Sequence, residues 1–503
     1  MHIQLLIWVE WVINPIALYN SRKSQLWLGL SFFQPSRNLF VVRNMKWKIA
    51  CSLFLLMIAL GAFSVRSTNP TPEPIPANPQ TLGDAKKGWN YLIYGDFIKS
   101  GLPLPLFKLV QGKDPNNYLQ RTGESAQIPH GFNLVQHENG TTIVVPTCLQ
   151  CHAQEMDGQL FVGLGNTFLD FTQFGKERNG PAGFASKILK AMSPKWEEST
   201  STIIRSFSTI GPLMHTEVVG VNAADRLATL LVAHRDPQTL EWQKNPVLPI
   251  PPEVTPTDVP AWWLLKKKNA MFYNGFGRGD FGKFLMLSNL LTVKDSAEAR
   301  EVSKHFADVL AYIYSLEAPK YPKNIQLELA LKGEKIFNKN CSSCHGTYGE
   351  KSSYPNLLVP PEIIKTDTML FSSNYQEPQF IDWFNKSWFA QGESPAQLVP
   401  GRGYVAPPLD GVWITAPYLH NGSVPTIEAV LNSQLRPTYW SRNLKNPEYD
   451  YYKLGWKYST HTAGQNKNIY NTTLPGYSNK GHYFGDHLTN DERKALIEYL
   501  KTL

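Results

Sequence analysis

Two short motifs in this chain place a pair of cysteines and a histidine at the same spacing. Their cysteines and histidines are Cys148, Cys151, His152, Cys341, Cys344 and His345. In a helical turn, positions i and i+3 share a face, and position i+4 lies beside them. Two thiols so placed can form thioethers with the two vinyl groups of one haem, and the next histidine then comes beneath the iron as a ligand. The spacing therefore predicts two covalently bound c-type haems.

Two other chemistries also use Cys-x-x-Cys pairs. One zinc ion could take the four thiolates of both motifs, or each pair could be a redox disulfide. Neither explains a histidine directly after both pairs. The chain has 5 cysteines, and the fifth, Cys51, lies in an apolar run near the N-terminus. No cysteines remain for a disulfide framework, so the spacing favours a bound haem at each motif.

The residues before the second motif indicate the helix that must position it. Gly333 and Phe337 precede Cys341 by eight and four residues, as a glycine and an aromatic do on the first helix of small cytochromes c. The glycine permits close crossing by the C-terminal helix, so we expect Tyr499 and Leu500 to pack there. An ordinary amphipathic helix pair fits these four residues equally well, but it does not account for the adjacent motif.

A loose internal repeat divides the chain. Residues 309–316, VLAYIYSL, match residues 496–503, LIEYLKTL, in the positions of apolar residues and of one tyrosine. Both stretches have helical spacing, and each closes a segment with one haem motif. Thr489 and Glu492 form a capping box before the second stretch. Prolines end the first stretch, which places a boundary near residue 320.

These signals predict a mainly α fold: two cytochrome c-like haem domains with long ordered loops and insertions. At 503 residues the chain is too long for one ordinary core. We expect an N-terminal haem domain over residues 82–320 and a C-terminal haem domain over residues 321–503. Long stretches rich in Gly, Pro and Asn, such as residues 458–481, suggest large ordered loops with few strand signals.

The N-terminal region carries a targeting pattern. Met45 is followed by two lysines and by an uncharged, mostly apolar run over residues 49–65, so residues 45–66 are typical of a signal peptide or membrane anchor. Residues 1–44 then look like a mis-annotated upstream extension, and residues 67–81 like a proline-rich linker. The pattern predicts a periplasmic or secreted bacterial protein, which is membrane-anchored if the signal is retained.

Charge composition argues against a nucleic-acid partner. The formal charge is +8, from 49 basic and 41 acidic residues, and the surplus is diffuse. The densest basic cluster is the run Lys266, Lys267 and Lys268. Nucleic-acid footprints are usually denser than this, so the run is interpreted as a solvated face.

The chain resembles the bacterial di-haem cytochrome c peroxidase superfamily in its two haem motifs and in WITAPYLHNGSVPTIEAVL at residues 413–431. It resembles the rubber-cleaving di-haem oxygenases and their relatives more closely, over roughly residues 85–503. That likeness rests on the stretches VAHRDPQTLEW, AWWLLKKKNAMFYNGFGRGDF, YSLEAPKYP and GHYFGDHLTNDERKALIEYLKTL. The Phe-Trp-Asp-Gly-Arg pattern of typical di-haem peroxidases is missing from the first half, which weighs against peroxidase activity.

The resemblance implies different roles for the two haems. Haem 1, on His152, is expected to keep an open position for dioxygen or peroxide, whereas haem 2, on His345, transfers or stores electrons. His482, in the loop before the last helix, is implied as the axial ligand of haem 2. His420 is implied as a contact of a haem propionate. The rivals for ligation of haem 2 are His420, His461, His487 and Met369.

Candidates for the other roles at haem 1 are weaker. Met286 is the nearest residue that could ligate its iron, although a lone methionine in an apolar stretch is more often part of the core. Trp262 and Trp263 resemble an aromatic bridge between haems in the family, and they would equally fit a core. More distant candidates for ligation of the haem 1 iron are Met214 and His215. The acid–base candidates, which are only nearby in sequence, are His215, Glu217 and His234.

Two functions fit these predictions. The first is an oxidoreductase that activates dioxygen or peroxide at haem 1. The second is a di-haem electron-transfer cytochrome without its own substrate. A carrier needs only about 100 residues per haem in one small domain, and here each motif is followed by far more chain. Size therefore favours the enzyme, with a small electron-donor or electron-acceptor protein as its expected partner.

Overall fold

A computed structural model describes residues 70–111, 116–173 and 189–503. The described residues from Pro72 to Leu503 form one compact unit. The predicted extension, signal or anchor, and Cys51 lie outside the described residues. Within the described ranges, no helix combines the length and the apolar character needed to cross a membrane.

Helices are distributed along the described chain. The α-helices are α1 (Ala85–Tyr94), α2 (Leu104–Gln111), α3 (Pro194–Ile210), α4 (Ala224–Ala233), α5 (Phe281–Leu285), α6 (Ser296–Ser303), α7 (Phe306–Ser315), α8 (Leu327–Asn340), α9 (Ser342–His345), α10 (Pro361–Ile364), α11 (Met369–Gln376), α12 (Pro378–Lys386), α13 (Ile427–Leu431) and α14 (Asn490–Leu500). The capping box predicted at the start of α14 is present, with Thr489 and Glu492 exchanging their hydrogen bonds. Short 3₁₀ helices include Cys148–Gln150 and Trp262–Lys267.

The prediction of a mainly α fold is wrong, because short strands stand between these helices. They are β1 (Glu73–Pro74), β2 (Leu102–Pro103), β3 (Phe132–Gln136), β4 (Thr142–Pro146), β5 (Ala153–Met156), β6 (Gln159–Val162), β7 (Gly277–Gly279), β8 (Leu357–Val359), β9 (Ala396–Leu398), β10 (Tyr404–Val405), β11 (Tyr439–Ser441), β12 (Tyr449–Asp450), β13 (Gly455–Trp456), β14 (Ser459–Thr460) and β15 (Tyr470–Asn471). The fold is mixed. Strands of 2 to 5 residues are too short for an alternating pattern to be recognised in sequence.

The strands form small antiparallel sheets. In strand order, these are β2-β4-β3, β1-β8-β10, β14-β11-β15 and the pairs β5-β6, β7-β9 and β12-β13. The β5-β6 hairpin directly follows the first Cys-x-x-Cys-His motif, with Ala153 opposite Val162. Glu73 pairs with Leu358, so the part of the predicted linker that the structure describes is hydrogen-bonded to the C-terminal half.

The crossing of α8 and α14 follows the prediction from Gly333. A Cβ atom added there would lie 1.9 Å from the backbone oxygen of Ala495, so only glycine allows this approach. Phe337 packs against Tyr499, with ring centroids 5.2 Å apart. The crossing holds the start of the second motif against the C-terminal helix.

A matching crossing occurs between α1 and α7 in the first half. A Cβ atom added at Gly88 would lie 2.0 Å from the backbone oxygen of Asp308. The residues of α7 include most of the stretch that the sequence repeat aligns with α14. Each half therefore has a helix with a crossing glycine packed on the helix that closes the repeat.

Gly333→Ala is expected to destabilise the protein by about 1–3 kcal/mol, because the added methyl group must push two packed helices apart. The gain in helix propensity, up to about 1 kcal/mol, opposes this cost only in part. Thermal unfolding followed by circular dichroism measures the effect. Lys332→Ala, at the exposed preceding position, is the control and should stay close to the unmodified protein. A melting temperature unchanged in Gly333→Ala would contradict the crossing.

Two large apolar cores lie under these elements. One gathers Leu92 of α1 and Ile313 of α7 with Trp383 and Phe384 of α12. The other gathers Phe337 and Trp413 with Trp263 and Leu264 from the first half. Each core thus takes residues from both predicted domains. The boundary near residue 320 stays a prediction.

Candidate functional site

Both Cys-x-x-Cys-His motifs form the helical turn that their spacing predicts. The backbone N–H of His152 donates to the oxygen of Cys148 at 3.0 Å, and the N–H of His345 donates to that of Cys341 at 3.0 Å. Cys341, Cys344 and His345 line one cavity, whereas Cys151 and His152 line another. The motifs therefore serve two separate sites, and the described residues contain no cluster of three or more potential metal ligands.

The thiols of Cys148, Cys151 and Cys341 lie in surroundings that disfavour their ionised form. Burial raises the pKa of Cys148 to about 12 and that of Cys341 to about 11. Burial also raises the pKa of Cys151. Disulfide exchange needs a thiolate, so these environments suit the redox hypothesis poorly. Cysteines in thioether bonds carry no charge, so they fit these buried environments.

The ring of His345 lines its cavity and is oriented as a metal ligand. Its Nδ1 lies 2.8 Å from the backbone oxygen of Pro407. A carbonyl oxygen only accepts, so Nδ1 carries the proton and the lone pair stands on Nε2. Burial lowers the pKa of His345, which keeps the imidazole neutral. Such a hydrogen bond is the usual partner that fixes a metal-bound histidine.

His482 faces His345 across the same cavity. The two ring centroids are 6.1 Å apart and the ring planes are inclined by 58°. Two metal–nitrogen bonds of about 2 Å each, together with the radius of each ring, add up to roughly this separation. Burial lowers the pKa of His482 to about 3, with further contributions from His345 and Arg436. The pair therefore has the spacing and the neutral state that one haem iron between them requires.

The loop that carries His482 is held by an arginine that the sequence did not single out. Arg436 donates from Nη1 to the oxygens of Asn479 and Gly481, and from Nη2 to the oxygen of His482 at 3.2 Å. His482 itself has φ of +50°, a left-handed conformation that is strained for a side chain of this size. We infer that the guanidinium keeps this histidine in place. The role of Arg436 follows only from the backbone carbonyl groups that it contacts, and no sequence motif indicates it.

His420 lines the cavity of His345 and His482 beside Tyr404. The rings of His420 and Tyr404 stack at 4.3 Å, and the tyrosine hydroxyl lies 3.2 Å from His420 Nε2. Burial lowers the pKa of His420 to about 3. The other rivals of His482 do not line this cavity among the described residues: His461 bonds to Ser441, His487 to Asn340, and Met369 begins α11.

His152 stands in the first cavity against an aromatic wall. Its ring stacks on Trp262, with centroids 4.6 Å apart and planes inclined by 19°. Burial lowers the pKa of His152 to about 3, and its buried Nδ1 has no hydrogen-bond partner among the described residues. The cavity is otherwise mostly apolar, with Phe272, Phe276 and Phe284 in its lining. In the described chain, no second histidine lines it.

The structure does not bring the predicted partners of His152 to this cavity. Met286 and Met214 lie in the core, and His234 stacks on Trp242 while Nδ1 contacts the oxygen of Gln243. His215 lies 3.8 Å from Glu217. A different methionine, Met271, lines the cavity. It lies in no loop before a helix of the repeat, so no sequence signal marks it as a ligand.

Sequence reasoning missed a carboxyl group in the lining of the His152 cavity and a second one that acts on it. Asp225, in the first turn of α4, lines the cavity. Burial raises its pKa to about 6. Burial and the charge of Asp225 together raise the pKa of Glu377 to about 7. Groups with a pKa near neutrality can hold or release a proton at working pH, and no motif marks them because the two lie far apart in sequence.

Trp262 and Trp263 point into different parts of the molecule. Trp262 belongs to the core around His152, and Trp263 belongs to the core beneath the second motif. Trp263 donates from Nε1 to the oxygen of Asp410 at 2.9 Å. The neighbouring residues Ala261 and Leu264 line both cavities. The segment thus forms a shared wall, and its role as an electron bridge stays a prediction.

Comparisons with known proteins match two segments of the chain to family models. Residues 330–380, which include the second motif, match the model of the cytochrome c family. Together with the paired histidines, this match supports a c-type cytochrome with covalently bound haem iron. Residues 403–441, which include His420 and Arg436, match the family of RoxA-like, cytochrome c-like proteins. These two matches support a c-type cytochrome related to RoxA-like proteins, and with it a haem-based electron-transfer or oxidoreductase role.

Two relatives come from Sinorhizobium fredii. The uncharacterized protein y4iM is 27% identical over 291 residues, which cover 50% of this chain and 66% of that protein. The uncharacterized protein y4iJ is 48% identical over 111 residues, which cover 20% of this chain and 18% of that protein. The aligned regions thus span less than two thirds of either relative.

Proposed function

We propose that this chain is an exported di-haem c-type oxidoreductase with one reactive and one electron-transferring site. The reactive haem is carried by Cys148, Cys151 and His152. The electron-transferring haem would be held by Cys341, Cys344, His345 and His482. A haem iron with a free coordination position supplies binding and reduction of dioxygen or peroxide, whereas one with two strong ligands transfers electrons.

The difference between the two cavities carries this proposal. In one, His345 and His482 face each other with ring centroids 6.1 Å apart. In the other, His152 is the only histidine among the described lining residues. The mostly apolar lining around His152 suits an apolar organic substrate. Asp225 is placed to hold or release a proton there, and His420 and Tyr404 supply polar contacts in the other cavity.

A carbon monoxide difference spectrum of the reduced, exported protein tests the proposal. Carbon monoxide binds only to ferrous haem with an open position, so we expect half of the total haem to respond. A protein in which neither haem responds would instead be a di-haem electron-transfer cytochrome, with Met271 or another side chain closing the first site. C-type cytochromes are typically exported, so the protein should be prepared from the periplasm or the medium.

A further inference from the structure

One segment forms the wall between the two cavities, and most of it is apolar. The polar residues that line both cavities are Asp258, Lys268 and Tyr273. The side chain of Asp258 accepts a hydrogen bond from the hydroxyl of Tyr273 at 3.1 Å. Arg442 is the cation that acts on this carboxyl group. Asp258 therefore has its own partners within the wall, and Lys268 remains to be explained.

Lys268 differs from the two lysines before it. Lys266 Nζ lies 2.6 Å from a carboxylate oxygen of Glu317, and Lys267 Nζ lies 2.8 Å from one of Asp410. Lys268 forms no ion pair or side-chain hydrogen bond with any residue that the structure describes. The interpretation of this run as a solvated face is thus wrong for its last member, which turns towards the cavities.

Lys268 is half-buried and lines both cavities, and an unpaired ammonium group is unfavourable against such a mostly apolar wall. Burial lowers the pKa of Lys268 to about 8, because the charged form loses its hydration without gaining a counter-ion. Buried charges in proteins are normally paired. The carboxyl group of Asp258 accepts from Tyr273 and forms no ion pair with Lys268 among the described contacts. An anionic group that enters a cavity would complete the environment of the lysine.

We propose that Lys268 binds a carboxylate side chain of a haem at the junction of the two cavities. The inference rests on the proposed haem attachment to both motifs, because a haem brings two carboxylates into each cavity. Either haem can be the source, since Lys268 lines both cavities. The ammonium then neutralises the carboxylate, and its positive charge favours the ferrous over the ferric iron of that haem.

Lys268→Met tests the inference in the haem-loaded protein, because methionine keeps the length of the side chain and removes its charge. Spectroelectrochemical titration at pH 7 should show a lower midpoint potential for the haem whose carboxylate is bound. We expect roughly a tenfold change in the reduction equilibrium, which corresponds to ~59 mV for one electron. A shift confined to the carbon monoxide-binding haem assigns the carboxylate to haem 1, and a shift confined to the other haem assigns it to haem 2.

Two further variants make the outcome decisive. Lys268→Arg keeps the charge and should give the midpoint potential of the unmodified protein. If Lys268→Met loses haem, Lys268→Arg should also keep the full haem content. Lys266→Met removes a neighbouring charge that is paired with Glu317 and should leave both potentials unchanged. The inference is overturned if Lys268→Met holds two haems at unchanged potentials, or if Lys268→Arg restores nothing. Conversion of a low-spin haem to high spin in Lys268→Met would also overturn it, because the lysine would then be an iron ligand. A native protein without haem would refute the proposed function itself.

Discussion

Replacing Cys341 and Cys344 by alanine is expected to remove one covalently bound haem from the exported protein and to leave the other in place. Replacing Cys148 and Cys151 should remove the remaining one. The reason is chemical, because each haem needs thioether bonds to a thiol pair on one helical turn. Cys151 lines one cavity, whereas Cys341 and Cys344 line the other. Mass spectrometry of the intact protein should therefore show two added haem masses in the native chain and one in each double variant.

Serines between the second pair of cysteines provide a matched control. Ser342 and Ser343 occupy the same turn, and neither supplies a thiol. Their joint replacement by alanine should keep two haems, although Ser342 loses a hydrogen bond of 2.6 Å to the oxygen of Asn338. Bound zinc without haem in the native protein would contradict haem attachment, and unchanged haem content in either cysteine variant would contradict the assignment of that motif.

His482→Ala is expected to open the second haem to external ligands. In the native protein this haem should be low-spin and closed, because its iron would lie between His345 and His482. Without His482, the second haem should bind carbon monoxide when reduced, so the responding fraction rises from half of the haem to all of it. Its potential should also rise, since a strong nitrogen donor that stabilises ferric iron is lost. Haem 1 should keep its native spectrum.

His487→Ala is the control for this experiment. His487 is an exposed histidine in the same segment and contacts Asn340 Oδ1 at 3.3 Å. The His487→Ala variant should leave the spectrum and both haem potentials unchanged. A low-spin signal that persists in His482→Ala and disappears in His420→Ala or Met369→Ala would move the ligand to that residue.

Local sequence determined the parts of this protein that one helical turn or one helix end specifies. The two Cys-x-x-Cys-His motifs form their predicted turns, and Thr489 and Glu492 form the predicted capping box. In both cases, residues close together in sequence carry the physical requirement. Gly333 was also informative, because a missing side chain on a helix before such a motif indicates a close crossing, although its partner Ala495 is distant in sequence.

Tertiary structure decided the features that depend on distant parts of the chain. Arg436 meets the backbone carbonyls of the His482 loop only after both segments have folded. Lys268 turns towards the cavities while Lys266 and Lys267 pair with carboxylates, although all three are lysines at consecutive positions. The short strands, and the mixed fold class, likewise arise from pairings such as Glu73 with Leu358. The periodicity of apolar residues along the sequence indicates which side chains face a core. The neighbours of each side chain depend on how the whole chain packs, and only that packing gave these residues their roles.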